Sequence, residues 1–108
     1  MAEDTLVITD APDESRYEAT LDGAQAGVVE YQLDGDVIMF THTGVPPEFE
    51  GRGIASRLAR YVLDDARTRG LEVLPRCPYL AGWIARHLDY VDLVPTASRS
   101  RYKLPADA

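Results

Sequence analysis

A glycine-containing loop in the middle of the chain is the strongest candidate for a ligand site. It lies between a predicted strand and a predicted amphipathic helix and reads Glu50-Gly51-Arg52-Gly53-Ile54-Ala55. Glycine lets the backbone approach a ligand closely and adopt conformations that other residues avoid. A helix that begins at Gly53 or Ile54 also presents unpaired N–H groups and the positive end of its dipole. We therefore predict an anion site here, most naturally for phosphate.

Two arginines, one within the loop and one just after it, support this prediction. Arg52 and Arg57 lie near the first helical turn, where a positive charge opposes the helix dipole unless an anion is bound. The pattern is not the dinucleotide fingerprint, which needs a third glycine, and it lacks the lysine followed by Ser or Thr of a P-loop. A glycine turn selected only for tight packing is the simpler alternative.

Cys77 and His42 are the candidate catalytic residues. Cys77 follows a predicted strand and precedes a predicted helix, a position where a thiolate is stabilised and can act as a nucleophile. A buried, unreactive cysteine is the alternative. His42 lies just before the loop, and imidazole exchanges protons near neutral pH, which suits a general base. Strand alternation places it on the same face as Ile38 and Phe40, so the alternative is that His42 is a buried residue of the core.

The elements that carry these residues follow from hydrophobic periodicity. We predict strands at 15–21, 26–33 and 37–43 after a short apolar run at 6–8, a helix at 54–69, a strand at 71–74, a helix at 80–87, and edge strands at 90–94 and 101–104. Asp-Gly turns at 22–23 and 34–35 make the first half an antiparallel meander. The expected fold class is α/β, or α+β by a stricter count: a mixed, largely antiparallel sheet flanked by two main helices.

Residues 45–58 resemble the acetyl-CoA signature of the GNAT superfamily of N-acetyltransferases, Q/R-x-x-G-x-G/A. Gly53 and Ala55 match its last two fixed positions, and Glu50 stands where Gln or Arg is expected. Three further motifs are similar to the smallest, single-domain branch of the superfamily: His-Thr at 42–43, Pro-x-Cys-Pro-Tyr at 75–79 and Arg-His-x-x-Tyr at 86–90. The resemblance covers about residues 17–94.

The resemblance implies a minimal GNAT-like fold and transfer of an acyl group, with acetyl preferred, from acetyl-CoA to an amine. A strand splay at 42–45 would admit the pantetheine, and the loop would hold the pyrophosphate. The implied cofactor-binding residues are Val45, Glu50, Gly51, Arg52, Gly53, Ile54, Ala55, Ser56 and Arg57. Two routes stay open: direct transfer with His42 or a water as base, and a two-step route through acetylated Cys77.

A non-catalytic module that binds CoA or acyl-CoA, as a sensor or interaction domain, is the alternative function. Many members of the superfamily have a tyrosine that protonates the departing CoA thiolate. Its place in this chain falls near Ile84, which has no proton to give. Neither the amine acceptor nor the oligomeric state follows from the sequence.

Composition limits the other possibilities. The 108 residues predict one domain, 1–108, with frayed ends near 1–5 and 105–108. The acidic N-terminus, the lack of a long apolar run and the single cysteine predict a cytoplasmic protein with neither membrane span nor disulfide. Too few histidines and cysteines lie close together to predict a metal site. The net charge of −7 argues against nucleic acid.

Charge is distributed unevenly along the chain. Residues 1–50 carry twelve acidic residues and one basic residue, whereas residues 51–108 carry six acidic residues and ten basic residues. The basic half agrees with a local anion site, and the acidic half would favour a cationic acceptor such as a polyamine or a lysine-bearing peptide.

Overall fold

The computed structural model describes residues 5–106. Its centre is a five-stranded sheet in which the strands lie side by side in the same order as in the sequence. The strands are β1 (Leu6–Ala11), β2 (Arg16–Leu21), β3 (Ala24–Asp34), β4 (Val37–Gly44) and β5 (Glu72–Pro75). The pairs from β1 to β4 are antiparallel, and β4 with β5 is parallel. The predicted mixed, largely antiparallel sheet is confirmed.

Turn chemistry explains these pairings. Asp22 and Gly23, between β2 and β3, both have positive φ angles, of 53° and 86°. That conformation gives a two-residue hairpin its tight reversal, so the next strand must run antiparallel. The connection between β4 and β5 instead contains a helix, and such a crossover brings the second strand back in the parallel direction.

Two helices pack against the sheet. They are α1 (Ile54–Thr68) and α2 (Pro78–Ala85). The apolar stripe of α1 is buried, as its helical spacing predicts, and consists of Ile54, Leu58, Ala59, Val62, Leu63 and Ala66. It meets the buried side chains of the strands, which include Tyr17, Val29, Ile38, Phe40 and Val73. No helix in the described range is both long and apolar enough to cross a membrane.

The two predicted edge strands near the C-terminus are wrong. The chain forms short 3-10 turns there instead, at Leu88–Leu93, Thr96–Ser98 and Ser100–Tyr102. The buried positions in the first turn region are Tyr90, Val91, Leu93 and Val94. Their spacing of three matches the 3-10 period rather than the two-residue period of a strand. At 101–104, Lys103 has a left-handed backbone (φ 61°), which interrupts an extended chain.

A buried arginine holds the C-terminal turns in place. Arg99 is only 8% exposed. Its guanidinium donates hydrogen bonds to the carbonyl oxygens of Val94 and Ala106, both at 2.9 Å. The frayed ends predicted at 1–5 and 105–108 fall largely on residues outside the described range, so that expectation stays a prediction.

A polar network joins the first three strands to the end of α1. The hydroxyl of Tyr17 donates to Asp65 at 2.5 Å, and that of Tyr31 donates to Asp10 at 2.6 Å. Arg69 lies between the two carboxylates, 3.2 Å from Asp65 and 3.6 Å from Asp10. Every member therefore has a partner, which is the condition for a partly buried polar network to stabilise a fold.

This network predicts a loss of stability at alkaline pH. Burial, followed by the hydrogen bond to Asp10, raises the pKa of Tyr31 from 10.0 to about 12. Because the folded state keeps the phenol protonated, its stabilisation is complete below pH 10 and is lost as the pH rises towards 12. We expect urea unfolding to show a steep fall in the free energy of unfolding over this range. In Tyr31→Phe the slope of this free energy against pH should decrease by the contribution of roughly one proton.

Tyr61→Phe is the matched control, because this tyrosine is 43% exposed and lies outside the network. It should keep the wild-type pH dependence. If Tyr31→Phe and Tyr61→Phe gave the same slope as the parent chain, the network would not couple folding to pH.

Candidate active site

The glycine loop forms one wall of an open cleft of about 300 Å³. We call it the glycine-loop cleft, and it is lined by Thr43, Val45, Phe49, Glu50, Gly51, Gly53, Ile54, Ala55, Ser56 and Tyr79. Gly51 and Gly53 have φ angles of 83° and 76°, in the left-handed region that L side chains rarely adopt. A Cβ added at either position would meet no atom within 4 Å. The loop therefore needs glycine for its backbone conformation and leaves open space in front of both residues.

The first turn of α1 completes this wall with free backbone donors. Gly53 is the N-cap residue, and no side chain caps the helix. The first helical hydrogen bond runs from the N–H of Arg57 to the carbonyl of Gly53, at 3.1 Å. The N–H groups of Ile54, Ala55 and Ser56 thus have no backbone acceptor within the described chain. The first turn also contains no acidic residue. An anion would satisfy these donors and the positive end of the helix dipole.

The neighbouring helix fixes one hydroxyl of the first turn. The buried Trp83 of α2 donates its indole N–H to Ser56 Oγ at 2.9 Å. Since this bond uses Ser56 Oγ as acceptor, the hydroxyl proton of Ser56 is free to point into the cleft. Trp83 is itself held by stacking on His87, with ring centroids 3.7 Å apart. The tryptophan supports the cleft from behind and does not line it.

A second group of polar side chains locks the 3-10 turn at 88–93 onto α1. Tyr90 donates its hydroxyl proton to Asp64 at 2.8 Å and accepts a hydrogen bond from Arg60 at 3.2 Å. Burial, and next the bond to Asp64, raises the pKa of Tyr90. Arg67 donates to Asp92 at 2.7 Å and lowers the pKa of that carboxyl. These bonds hold the 3-10 turn in place. Tyr90 of that turn packs against Trp83, which in turn bonds to Ser56 in the first turn of α1.

The opposite wall depends on an irregularity in β4. Glu30 pairs with His42 and Tyr31 pairs with Phe40, so Thr41 is an extra residue that forms a β-bulge. A bulge exchanges the two faces of the strand beyond it. His42 is consequently exposed, and the alternative of a core histidine on the face of Phe40 is wrong. Thr43 takes the inward position and reaches the cleft.

The pairing between β4 and β5 ends just before the splay predicted at 42–45. Their parallel pairing ends at Phe40 and Pro75, where the N–H of Cys77 donates to the carbonyl of Phe40 at 2.8 Å. Beyond this point β4 continues to Gly44 while the other chain turns into α2. Thr43 and Tyr79 both line the cleft at this point.

Cys77 lies behind this wall. It is the N-cap residue of α2 and is only 3% exposed. Its Sγ donates a hydrogen bond to Thr43 Oγ1 at 3.2 Å. A group bound in the cleft would meet Thr43 before it reached the sulfur.

His42 lies next to a different cavity. A side chain added at Gly44 would begin 3.1 Å from His42 Nε2, so the imidazole rests against this glycine. Gly44 lines a cavity of about 390 Å³ together with Gln25, Gly27, Val28, Val45 and Pro46. We call it the Gly44 cavity. Val45 belongs to both walls, so the end of β4 separates the Gly44 cavity from the glycine-loop cleft.

Most of the predicted cofactor-binding residues come together in the cleft, and two do not line it. Arg52 is exposed and lies over the Phe49 ring at 5.4 Å. Arg57 lines a neighbouring cavity with Arg60. Sequence reasoning missed Thr43 and Phe49 as lining residues. Thr43 was signalled by the His-Thr motif, whereas Phe49 had no signal beyond its position before the loop.

No three residues among His, Cys, Asp and Glu come together as a metal-binding group in residues 5–106.

Comparison with known proteins identifies the family and the fold. The model of the GCN5-related N-acetyl-transferase family matches residues 16–93. The fold is similar to the NMR solution structure of a GCN5-like protein from Staphylococcus aureus, with a TM-score of 0.64 and 23% identity over 82% of this chain and 87% of that chain. No curated protein sequence gives a match. Because the family model spans most of its length, the chain belongs to the GCN5-related N-acetyltransferase family.

Proposed function

We propose that the protein is a CoA-dependent acyltransferase that moves an acetyl group from acetyl-CoA to an amine. The observation that carries the proposal is the glycine-loop cleft, where a left-handed glycine loop and an uncapped helix adjoin the gap between β4 and β5. The family uses acetyl-CoA, and a phosphate needs donors of this kind.

In this proposal the pyrophosphate of CoA accepts hydrogen bonds from the N–H groups of the loop and the first turn of α1. The hydroxyl proton of Ser56 adds one donor, since the bond from Trp83 uses the oxygen only as an acceptor. Arg52, within the loop, and Arg57, just after it, attract the phosphates through longer-range charge. The pantetheine extends between Thr43 and Tyr79 into the gap.

The acceptor amine approaches on the face of β4 that carries the exposed His42, and it reaches the thioester through the gap between β4 and β5. In direct transfer the amine nitrogen attacks the thioester carbonyl carbon while His42, or a water, takes the proton that the amine loses. The C–S bond breaks and CoA leaves as a thiolate. Tyr79 is the phenol in the wall of the cleft and supplies a proton to that thiolate, since the position near Ile84 is buried and apolar.

The two-step route uses Cys77 instead. Its thiol would lose a proton, its sulfur would attack the thioester, CoA would leave as the thiol, and the amine would then displace the acetyl group. The burial of Cys77 behind Thr43 disfavours this route, because the thioester must reach the sulfur. Direct transfer is therefore the preferred mechanism.

The non-catalytic CoA-binding module is the second candidate function. It is favoured by Ile84, which is fully buried where the superfamily commonly has its acidic tyrosine. A module of this kind would need the cleft and its donors but neither His42 nor Tyr79.

The cofactor site is tested by a matched pair of glycine variants. Gly53 and Gly70 have φ angles of 76° and 72°, and an added Cβ meets no atom within 4 Å at either position. Gly53→Ala and Gly70→Ala should therefore lose similar stability, about 1–2 kcal/mol. Only Gly53→Ala puts a methyl group where the pyrophosphate would lie, so isothermal titration should show at least tenfold weaker CoA binding for that variant alone. Equal CoA affinity in the two variants would contradict the site.

The mechanism is tested by acetyl-CoA turnover with a panel of amines. If His42 is the base, His42→Ala should lower kcat by about a hundredfold and flatten its rise near neutral pH. Tyr79→Phe should lower kcat with little change in the KM for acetyl-CoA. Cys77→Ala should keep its turnover in direct transfer.

Intact-mass spectrometry with acetyl-CoA alone separates the remaining cases. A covalent acetyl group that disappears together with turnover in Cys77→Ala would establish the two-step route. CoA binding without turnover of any amine would leave the binding module as the function. Absence of both binding and turnover would refute the proposal as a whole.

A further inference from the structure

A second pair of cavities adjoins the C-terminal turns. One, of about 450 Å³, lies between α2 and residues Arg101, Tyr102 and Lys103. The other, of about 490 Å³, is bordered by Met39 of β4 and Leu74 of β5. Both are lined by Arg76, Arg101 and Tyr102, so they form one surface, which we call the arginine groove. No residue lines both the arginine groove and the glycine-loop cleft.

The groove is strongly positive in an acidic protein. Its lining includes three cations, Arg76, Arg101 and Lys103, and no Asp or Glu from the described range. Arg86 adds a fourth cation at the rim, since its Nη1 lies 3.4 Å from where a Cβ at Gly82 would stand. None of the three lining cations has an ion-pair partner within residues 5–106. The arginines at 16, 67 and 69, in contrast, are each paired with carboxylates.

The residues that supply these charges are held in place. Arg99 ties the turn to the carbonyls of Val94 and Ala106, and Leu104 is 5% exposed. Lys103 keeps a left-handed backbone with φ 61°. A non-glycine residue persists in that conformation only when its surroundings impose it. The turn therefore presents Arg101, Tyr102 and Lys103 from a fixed backbone, which lowers the entropy lost when a ligand binds.

We propose that the arginine groove binds a small organic anion, a carboxylate or phosphate ester with an apolar or ring-shaped part. Guanidinium groups bind carboxylate and phosphate oxygens through paired hydrogen bonds. The half-buried Tyr102 and the apolar residues Pro78 and Ala81 give a surface for the ligand's uncharged part. The cavity volumes are in the range of small-molecule sites.

Charge elsewhere on the chain favours a small ligand over a nucleic acid. In physiological salt, the attraction between the groove and a negative charge is largely screened when the two are more than about 10 Å apart. A long polyanion would extend past the groove, over a protein whose first fifty residues carry twelve acidic residues and one basic residue. It would gain little from the groove and would be repelled outside it. A ligand confined to the groove avoids this repulsion.

The test uses the full chain labelled with ¹⁵N and two ring-bearing dianions, phthalate and phenyl phosphate, with neutral phthalamide as the uncharged control. We expect one or both dianions to give saturating shifts of the amides of Arg76, Gly82 and Tyr102, and phthalamide to give none. The dianion that binds more tightly identifies carboxylate or phosphate as the preferred group. The shifts should persist with excess CoA, because the two sites share no residue.

The variant arm compares Arg76→Ala/Arg101→Ala with Arg16→Ala, an arginine on β2 outside the groove. The double variant should bind the dianion at least tenfold more weakly, and Arg16→Ala should bind it like the parent chain. The proposal is overturned if neither dianion gives a saturating shift, if the double variant binds equally well, or if the shifts lie only at residues 51–57. Tighter binding of a twelve-nucleotide single strand than of either dianion would overturn the assignment to a small ligand.

Discussion

The parallel pairing of β4 with β5 ends after four residue pairs, and the geometry of the site depends on that ending. Pro75 is the last paired residue of β5 and has no N–H with which to continue a ladder. The N–H of Cys77 makes the closing hydrogen bond to Phe40. The following proline at 78 then starts α2 at a position where a missing N–H costs nothing. The chain must leave the sheet here, and the space it leaves is the gap beside Thr43 and Tyr79.

The site is built at some expense to local stability. An α-helix of fifteen residues begins at Gly53 without a side-chain cap, although a cap commonly contributes about 1 kcal/mol. Arg57 lies in its first turn, where the dipole disfavours a cation. Gly53 itself is a flexible residue in the unfolded chain, so fixing it costs entropy. The helix is instead held by its buried apolar stripe and, near its C-terminal end, by the polar network of Tyr17, Asp65 and Arg69. The first turn of α1 is thus poorly stabilised by the protein itself, at the place where a bound anion would accept hydrogen bonds from its unpaired N–H groups.

Local patterns in the sequence predicted the elements and the loop, because each rests on nearby residues. The Asp-Gly turns, the helical stripe from Ile54 and the glycine loop were all visible in this way. The bulge at Thr41 was not visible, because it exists only in the pairing with β3, and it reversed the face assigned to His42. The edge strand predicted at 90–94 was also wrong, because its apolar residues follow the three-residue spacing of a 3-10 turn rather than the alternation of a strand. The burial of Cys77 behind Thr43 and the meeting of Arg76 with Arg101 needed contacts between distant parts of the chain.

The segment from Pro75 to Tyr79 is the common wall of the cleft and the groove. Arg76 and Pro78 face the arginine groove, Tyr79 faces the glycine-loop cleft, and Cys77 is buried against Thr43. Two prolines fix φ in this short stretch, and backbone bonds hold Cys77 to Phe40 at one end and Ala81 to Cys77 at the other. Because side chains on such a wall cannot turn from one side to the other, a group bound on one side acts on the other only by moving the whole segment. The hydrogen bond between Cys77 and Phe40, which closes the parallel strand pair, opposes such a movement.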